Sequence, residues 1–231
     1  MSENDPTDSL GGGEYLFGDS DVAARRLEVL AGVFAGSTRD FLVEVRDENR
    51  ALAIDLGCGP GFTTHLIAET LRCDRVLGLD ASPRFIELAR ATANDRVSFA
   101  LHDVCAVPFP SAPADAIFCR FLLTHLKDPA NIVAKWATQL SREGILMIEE
   151  TDSIVTEHPS FTRYLGIVEA MLASQSNELY AGPIVAALGA ATGLRTIRDQ
   201  VRRLKVANAD AARMFVMNMQ AWKHGDFIRT N

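Results

Sequence analysis

Residues 51–66 read ALAIDLGCGPGFTTHL: an apolar run that halts around Asp55, then glycine at the alternate positions Gly57, Gly59 and Gly61, then a segment of helical character. An apolar run of strand length closed by glycines raises one question: what comes so near this backbone that no side chain is allowed? A phosphate-cradling loop would need GxxxxGK followed by Ser or Thr, and no lysine stands nearby. A dinucleotide loop would need its third glycine where Phe62 stands, which argues against NAD.

Outward from this stretch the pattern repeats. Apolar runs of strand length recur at residues 75–79, 97–101, 114–119 and 144–148, and amphipathic segments lie between them, such as Phe85, Leu88, Ala89, Ala93 and Ile132, Val133, Trp136, Leu140. Continuous apolar strands alternating with helices predict an α/β fold, a doubly wound and mostly parallel sheet covered on both faces. In such sheets ligands sit at the carboxyl ends of the strands. Upstream, Ala23, Leu27, Leu30 and Phe34 predict a helix from Asp21 behind a Ser-Asp cap, and a second helix is expected over residues 38–47. After Glu150 the alternation stops; helical segments rich in methionine and aromatics follow, with one strand expected at residues 194–206.

The 231 residues suit one large domain, and 30 acidic against 23 basic residues give a net charge of −7, which disfavours nucleic acid as a partner. The polar, acidic start MSENDPTDSLGGG reads as a disordered tail rather than a secretory signal, and no window approaches a membrane span. A soluble, cytoplasmic protein without a membrane partner is expected. Cys58, Cys73, Cys105 and Cys119 have no metal-type spacing and read as free, buried thiols.

The arrangement DxGxGxG at Asp55, Gly57, Gly59 and Gly61 resembles motif I of the class I S-adenosylmethionine-dependent methyltransferases, small-molecule type. The downstream blocks follow in register: VLGLDAS with Asp80, VSFALHDV with Asp103, ADAIFCRFLLTHLKDP, and REGILMIEE. The resemblance implies S-adenosylmethionine as cofactor. Its methionine part would lie across Gly57, Cys58 and Gly59 with Asp55 suited to the ammonium, its ribose hydroxyls on Asp80 beside Ala81, and its adenine at Asp103 between His102 and Val104. Ser82, with Pro83 after it, already caps the helix behind Asp80, leaving that carboxylate for the ligand. EYLFGDSD is similar to a segment whose tyrosine, here Tyr15, closes over the cofactor.

Arg120, just after the fourth strand, is placed to pair with the methionine carboxylate or an acidic substrate. His125 is the candidate catalytic base, against a reading in which it only packs beneath the cofactor. Only one of Glu149 and Glu150 can face the cleft. Met214, Met217, Met219 and Trp222 either line a pocket or fill core. His158 and His224 read as surface residues. The implied protein transfers a methyl group to a small-molecule acceptor through O, N or C; a non-catalytic cofactor-binding or regulatory module is the alternative, and an NAD-dependent oxidoreductase a weaker one.

The implied organisation is a tail at residues 1–13 and a methyltransferase domain at 14–231, with its cofactor half at 51–150 and a helical lid and last strand at 151–231. The family's sheet usually ends with a sixth strand and an antiparallel seventh. Residues 194–206 would be the sixth and 208–225 the helix after it, leaving residues 226–231, too few for a buried strand. A missing seventh strand is therefore expected, through truncation or a shortened gene. The fifth strand would then carry an open edge, pair with residues 194–206, or be covered by a second copy, so a homodimer or a poorly soluble monomer is anticipated.

Overall fold

The computed structural model of the chain describes residues 19–47 and 50–222. The expected tail, Tyr15, His224 and residues 226–231 lie outside the described residues. β1 (Leu52–Leu56), β2 (Arg75–Asp80), β3 (Val97–Leu101), β4 (Ala114–Arg120) and β5 (Leu140–Glu149) pair in parallel in the order β3-β2-β1-β4-β5. The strands lie where the apolar runs predict them. β5 alone begins well before its run: Leu140 pairs with Ala114, the chain then bulges, and pairing resumes at Ile145 against Ala116.

Helices cover both faces: α1 (Asp21–Glu44), α2 (Phe62–Leu71) and α3 (Pro83–Arg90) on one, α4 (Pro129–Ala137) and α6 (Gly182–Thr192) on the other. Successive β-residues point to opposite faces, so β1 gives Ala53 to the first core, with Leu42, Ile67, Ile86 and Phe118, and Ile54 and Leu56 to the second, with Ile117, Trp136 and Leu188. Trp136 is fully buried, and its indole N–H donates to the Val104 carbonyl at 2.8 Å, which ties α4 to the loop after β3. α5 (Pro159–Ser174) and α7 (Asn208–Trp222) form a third cluster through Tyr164, Leu165, Val168 and Trp222, and α7 packs on α1.

Two expectations are corrected. No separate helix occupies residues 38–47, because α1 runs unbroken to Glu44. Ser37 and Thr38 are buried within it, and tertiary packing overrides their weak helix propensity. Residues 194–206 form no strand. Their closely spaced charges are used on α1 instead, with Arg198 and Arg202 paired to Glu44, while Ile197 and Val201 stay exposed. Among the described residues the sheet therefore has five strands, and the outer edge of β5 is unpaired.

Gly78, inside β2, shows how tightly the sheet packs under α2. A Cβ there would stand 2.7 Å from Phe99 Cδ1 and 2.9 Å from Cys58 Sγ. Gly78→Ala is expected to cost about 1–3 kcal/mol in urea unfolding; an unchanged midpoint would show that Phe99 moves aside freely.

Candidate active site

Strand order reverses between β1 and β4, and a crevice opens there above the carboxyl ends of the strands. The cleft encloses about 1480 Å³. Its floor is the loops after β1, β2, β3 and β4, its side is α1, and its roof includes Tyr164 and Leu165 of α5 and Met214 and Asn218 of α7.

The glycine turn is built by the protein's own packing. Gly57, Gly59 and Gly61 have φ of +65°, +53° and +93°, a left-handed region that side chains rarely adopt. A Cβ at Gly57 would meet Leu122 Cδ1 at 2.8 Å, one at Gly59 would meet Leu27 Cδ1 at 3.2 Å, and one at Gly61 would meet Phe99 Cζ at 2.7 Å. The atoms that exclude a side chain are thus protein atoms, from the loop after β4, from α1 and from β3. Asp80 fixes the turn from the side: Oδ2 accepts the Gly59 N–H and Oδ1 the Ser82 N–H, each at 2.8 Å. Ser82 caps α3 as its sequence indicates, accepting from Phe85 N at 3.1 Å. Asp103 Oδ1 accepts the Cys105 N–H at 2.9 Å in a turn of its own, and His102 Nε2 lies 2.9 Å from the Ala106 carbonyl.

Burial dominates the electrostatics. Asp55 is 1% exposed, and burial raises its carboxyl to about 7 even though Thr64 Oγ1 donates to it at 2.7 Å and Arg120 is near. Burial likewise raises Asp80 against its backbone hydrogen bonds. Glu150 Oε1 accepts the N–H groups of Leu122 and Leu123, both at 2.7 Å, and burial again lifts the group to about 7. Glu149 points the other way, as period-two alternation requires: it accepts from Thr38 Oγ1 at 2.7 Å, and Thr38 accepts from Arg120 Nη1 at 2.9 Å. His125, half-buried in the turn Leu123–His125, is pulled down to about 3, by burial first and by the charge of Arg26 second.

The fold brings most of the sequence candidates to one cleft. Gly57, Cys58, Gly59, Asp80 and Ala81 line it from the first two strand ends; His102, Asp103, Val104, Arg120 and His125 line it from the next two. Asp55 lies beneath the turn, not on the cleft wall. Met214 lines the cleft, Trp222 belongs to the α5–α7 core, and Met219 is exposed. His158 is exposed, and the four cysteines are free, with Cys105 only half-buried. Arg26 was not marked by the sequence, because an arginine between helical apolar positions reads as solvated; it is 7% exposed and faces the cleft. Among the described residues no cluster of His, Cys, Asp and Glu could hold a metal, and no helix is long and apolar enough to cross a membrane.

Residues 54–148 match the family described as a methyltransferase domain. Over 115 residues the chain is 38% identical to a trans-aconitate 2-methyltransferase of Methylobacterium radiotolerans, covering 50% of this chain and 44% of the relative. Over 113 residues it is 34% identical to the enzyme of that name from an Azoarcus species, covering 49% and 44%. The chain thus spans about half the length of the curated relatives it matches. Among solved structures, it is similar in fold to the YcgJ protein of Bacillus subtilis (TM-score 0.57, 20% identity, 85% of this chain and 86% of that one). It is also similar in fold to mitomycin 7-O-methyltransferase MmcR (TM-score 0.56, 22% identity, 78% and 54%).

The raised carboxyl of Asp55 sets a sign for stability against pH. A group with a folded pKa of about 7, up from 3.8, binds its proton more tightly when folded, so its stabilisation is complete at low pH and is lost as pH rises through the folded value. Asp55→Asn keeps an acceptor for Thr64 and removes the titration. The variant is expected to gain stability relative to wild type as pH rises from about 4 to about 7, read from urea midpoints at each pH. A constant difference would mean that Asp55 ionises freely.

Proposed function

We propose that this chain, whose residues 54–148 match a methyltransferase domain, is a class I S-adenosylmethionine-dependent methyltransferase and transfers the methyl group of S-adenosylmethionine to a small-molecule acceptor. The observation that carries the reading is a set of desolvated carboxyls, Asp55, Asp80 and Glu150, gathered around a left-handed glycine turn at the strand-order reversal. Burial penalises their negative form, and a cationic ligand relieves that penalty. S-adenosylmethionine carries two cationic groups, a sulfonium and an ammonium, and when bound it supplies an electrophilic methyl.

In this reading Gly57, Cys58 and Gly59 form the bed for the methionine part. Asp80, whose oxygens each have a second lone pair beyond the Gly59 and Ser82 bonds, takes the ribose hydroxyls beside Ala81. Asp103, His102 and Val104 border the adenine, and Arg120 stands at the end of β4 with Asp55 beneath the turn. What the chain contributes to the reaction is mainly alignment of the acceptor in line with the departing sulfur, an effect that can reach roughly 7–11 kcal/mol. At a pKa of about 3 His125 is a neutral and weak base at physiological pH, so it orients and packs rather than abstracting a proton. The names of the curated relatives make trans-aconitate the first acceptor to assay. The same reading keeps the protein in the cytoplasm, where the buried thiols of Cys58, Cys73 and Cys119 stay reduced, and pairs two copies through the β5 edge that is unpaired among the described residues.

Two measurements test the proposal. Calorimetric titration should show S-adenosylhomocysteine binding and NAD not binding, and labelled S-adenosylmethionine should pass its methyl to trans-aconitate or to a component of a metabolite extract. Binding without any turnover would make the protein a cofactor-holding module. Asp80→Ala is expected to weaken S-adenosylhomocysteine at least tenfold, in keeping with about 1.5–3 kcal/mol for hydrogen bonds to a charged acceptor. An unchanged dissociation constant in a folded variant would remove Asp80 from the site.

A further inference from the structure

The strand order β3-β2-β1-β4-β5 divides the cleft at the glycine turn after β1. Asp80 and Asp103, from the ends of β2 and β3, lie to one side, and the cofactor accounts for both. To the other side, where β4 and β5 end, the cleft is lined by Phe121, Leu122 and Glu150. None of the cofactor contacts proposed above uses Glu150.

Phe121 has φ +53°, a left-handed conformation that is costly for a bulky side chain, and its N–H donates to the Glu149 carbonyl at 2.9 Å. Followed by a right-handed Leu122, this bend aims the successive N–H groups of Leu122 and Leu123 at Glu150 Oε1, each at 2.7 Å. One oxygen is thereby fixed, and Oε2 has no donor among the described residues. The same Leu122 stands against the glycine turn, where a Cβ at Gly57 would lie 2.8 Å from its Cδ1. The carboxyl is therefore one residue removed from the bed assigned to the methionine part. Phe121 meets Phe34 of α1 edge to face at 4.9 Å, and both rings line the cleft, so its β4 end has an aromatic wall. The other ionisable side chains around this end are Arg120 on β4, His125 and Lys127 after it, Arg26 on α1 and Tyr164 on α5, with Glu149 on β5 pointing the other way.

We infer that Glu150 is the general base of the transfer, its Oε2 taking the proton of an acceptor hydroxyl as the hydroxyl oxygen attacks the sulfonium methyl. The inference rests on the methyl-transfer reading of the same cleft. The bond that forms joins oxygen to the methyl carbon, and the bond that breaks joins that carbon to sulfur. Its electron pair stays on sulfur, which becomes a neutral thioether, and the proton ends on Glu150. The sulfonium charge and the carboxylate charge disappear together, so the step leaves no unpaired charge in the cleft. Burial brings the carboxyl to about 7, and a cation beside it favours the ionised form that a base needs. His125, at about 3, holds a proton too weakly to do the same. A phenol, at about 10, lies roughly a thousandfold from such a base, a gap that general-base transfer spans, and an aliphatic hydroxyl lies much further away. With the wall of Phe34 and Phe121, this makes the acceptor a flat phenol. An acceptor that arrives as a carboxylate needs no base and would set its own charge against Glu150.

The test uses the full chain saturated with S-adenosylhomocysteine, with 4-methylphenol and its methyl ether, 4-methylanisole, as probes in calorimetry at about pH 8, where the carboxyl is ionised and the phenol is not. Wild type should bind the phenol about tenfold more tightly than the ether, as a hydrogen bond to a charged acceptor implies. Glu150→Gln keeps an oxygen for the Leu122 and Leu123 N–H groups and puts an amide donor where Oε2 stood, so the preference should disappear while S-adenosylhomocysteine binds as before. Equal affinities in wild type, binding of neither probe, or a preference that survives Glu150→Gln would overturn the assignment. So would a loss of S-adenosylhomocysteine affinity of about tenfold in Glu150→Gln, since the carboxyl would then serve the cofactor. If Glu150→Gln does not fold, wild type alone decides: the preference should fade as pH falls from about 8 to about 5 and the carboxyl takes up its proton, and a preference constant with pH counts against the base. With the acceptor found by label transfer, Glu150→Gln should lower kcat by about 10²–10⁴-fold, and undiminished transfer, to trans-aconitate or to any other acceptor, overturns the assignment. Failure of wild type to bind S-adenosylhomocysteine would sink the methyl-transfer reading instead, and the phenol preference is then read on the ligand-free chain.

Discussion

The cleft depends on one hydrogen bond, the Gly59 N–H donating to Asp80 at 2.8 Å. It joins the turn after β1 to the end of β2 and holds a left-handed backbone that would otherwise be one of many loop conformations. The Cys58 N–H donates to the Leu79 carbonyl at 3.0 Å and supports the same junction one residue earlier. With the turn fixed, Gly57 lies so close to Leu122 that the loop after β4 is located as well. Glu150 then holds that loop through the N–H groups of Leu122 and Leu123. The ends of β1, β2, β4 and β5 are thereby joined by polar contacts at Asp80 and Glu150 and by the close approach of Leu122 to Gly57.

Those contacts hold one carboxyl, Asp55, fully buried and three others partly buried. Asp55, Asp80, Glu149 and Glu150 all have their ionised form disfavoured by burial. Hydrogen bonds from Thr64, from backbone N–H groups and from Thr38 oppose that penalty without cancelling it. Arg120, half-buried at the end of β4, offsets part of it for Asp55 and Glu149. At the strand ends the cleft is walled by Asp80 and Glu150, and the burial penalty on their ionised forms is relieved by a cationic neighbour and worsened by an anion. Arg26, carried by α1, adds a positive charge to the same cleft.

The sequence was most informative where local chemistry decides the structure. Ser82 and Pro83 specify the start of α3, and the glycines at 57, 59 and 61 specify left-handed backbone, because both demands are met within a few residues. What lies opposite those glycines was not legible: Leu27, Phe99 and Leu122 come from three distant elements, and nothing in DxGxGxG names them. Residues 194–206 misled because a segment of mixed apolar and charged residues becomes a strand only if a sheet edge receives it. Glu44, far away in sequence, offered their arginines ion pairs instead. Arg26 was hidden for the opposite reason, since a charged side chain on a helix reads as solvated until a lid covers it.

α1 is the element through which these parts communicate. Its first turn reaches α3, where Asp21 pairs with Arg84 at 2.8 Å. Its middle presents Arg26 and Leu27 to the cleft, and Thr38 bridges Arg120 and Glu149. Its last turn holds residues 194–206 through Glu44, while α7 packs along it. α1 therefore packs against α7 and, through Leu27, against the glycine turn at Gly59, so one helix borders both the helical wall of the cleft and the turn on its floor.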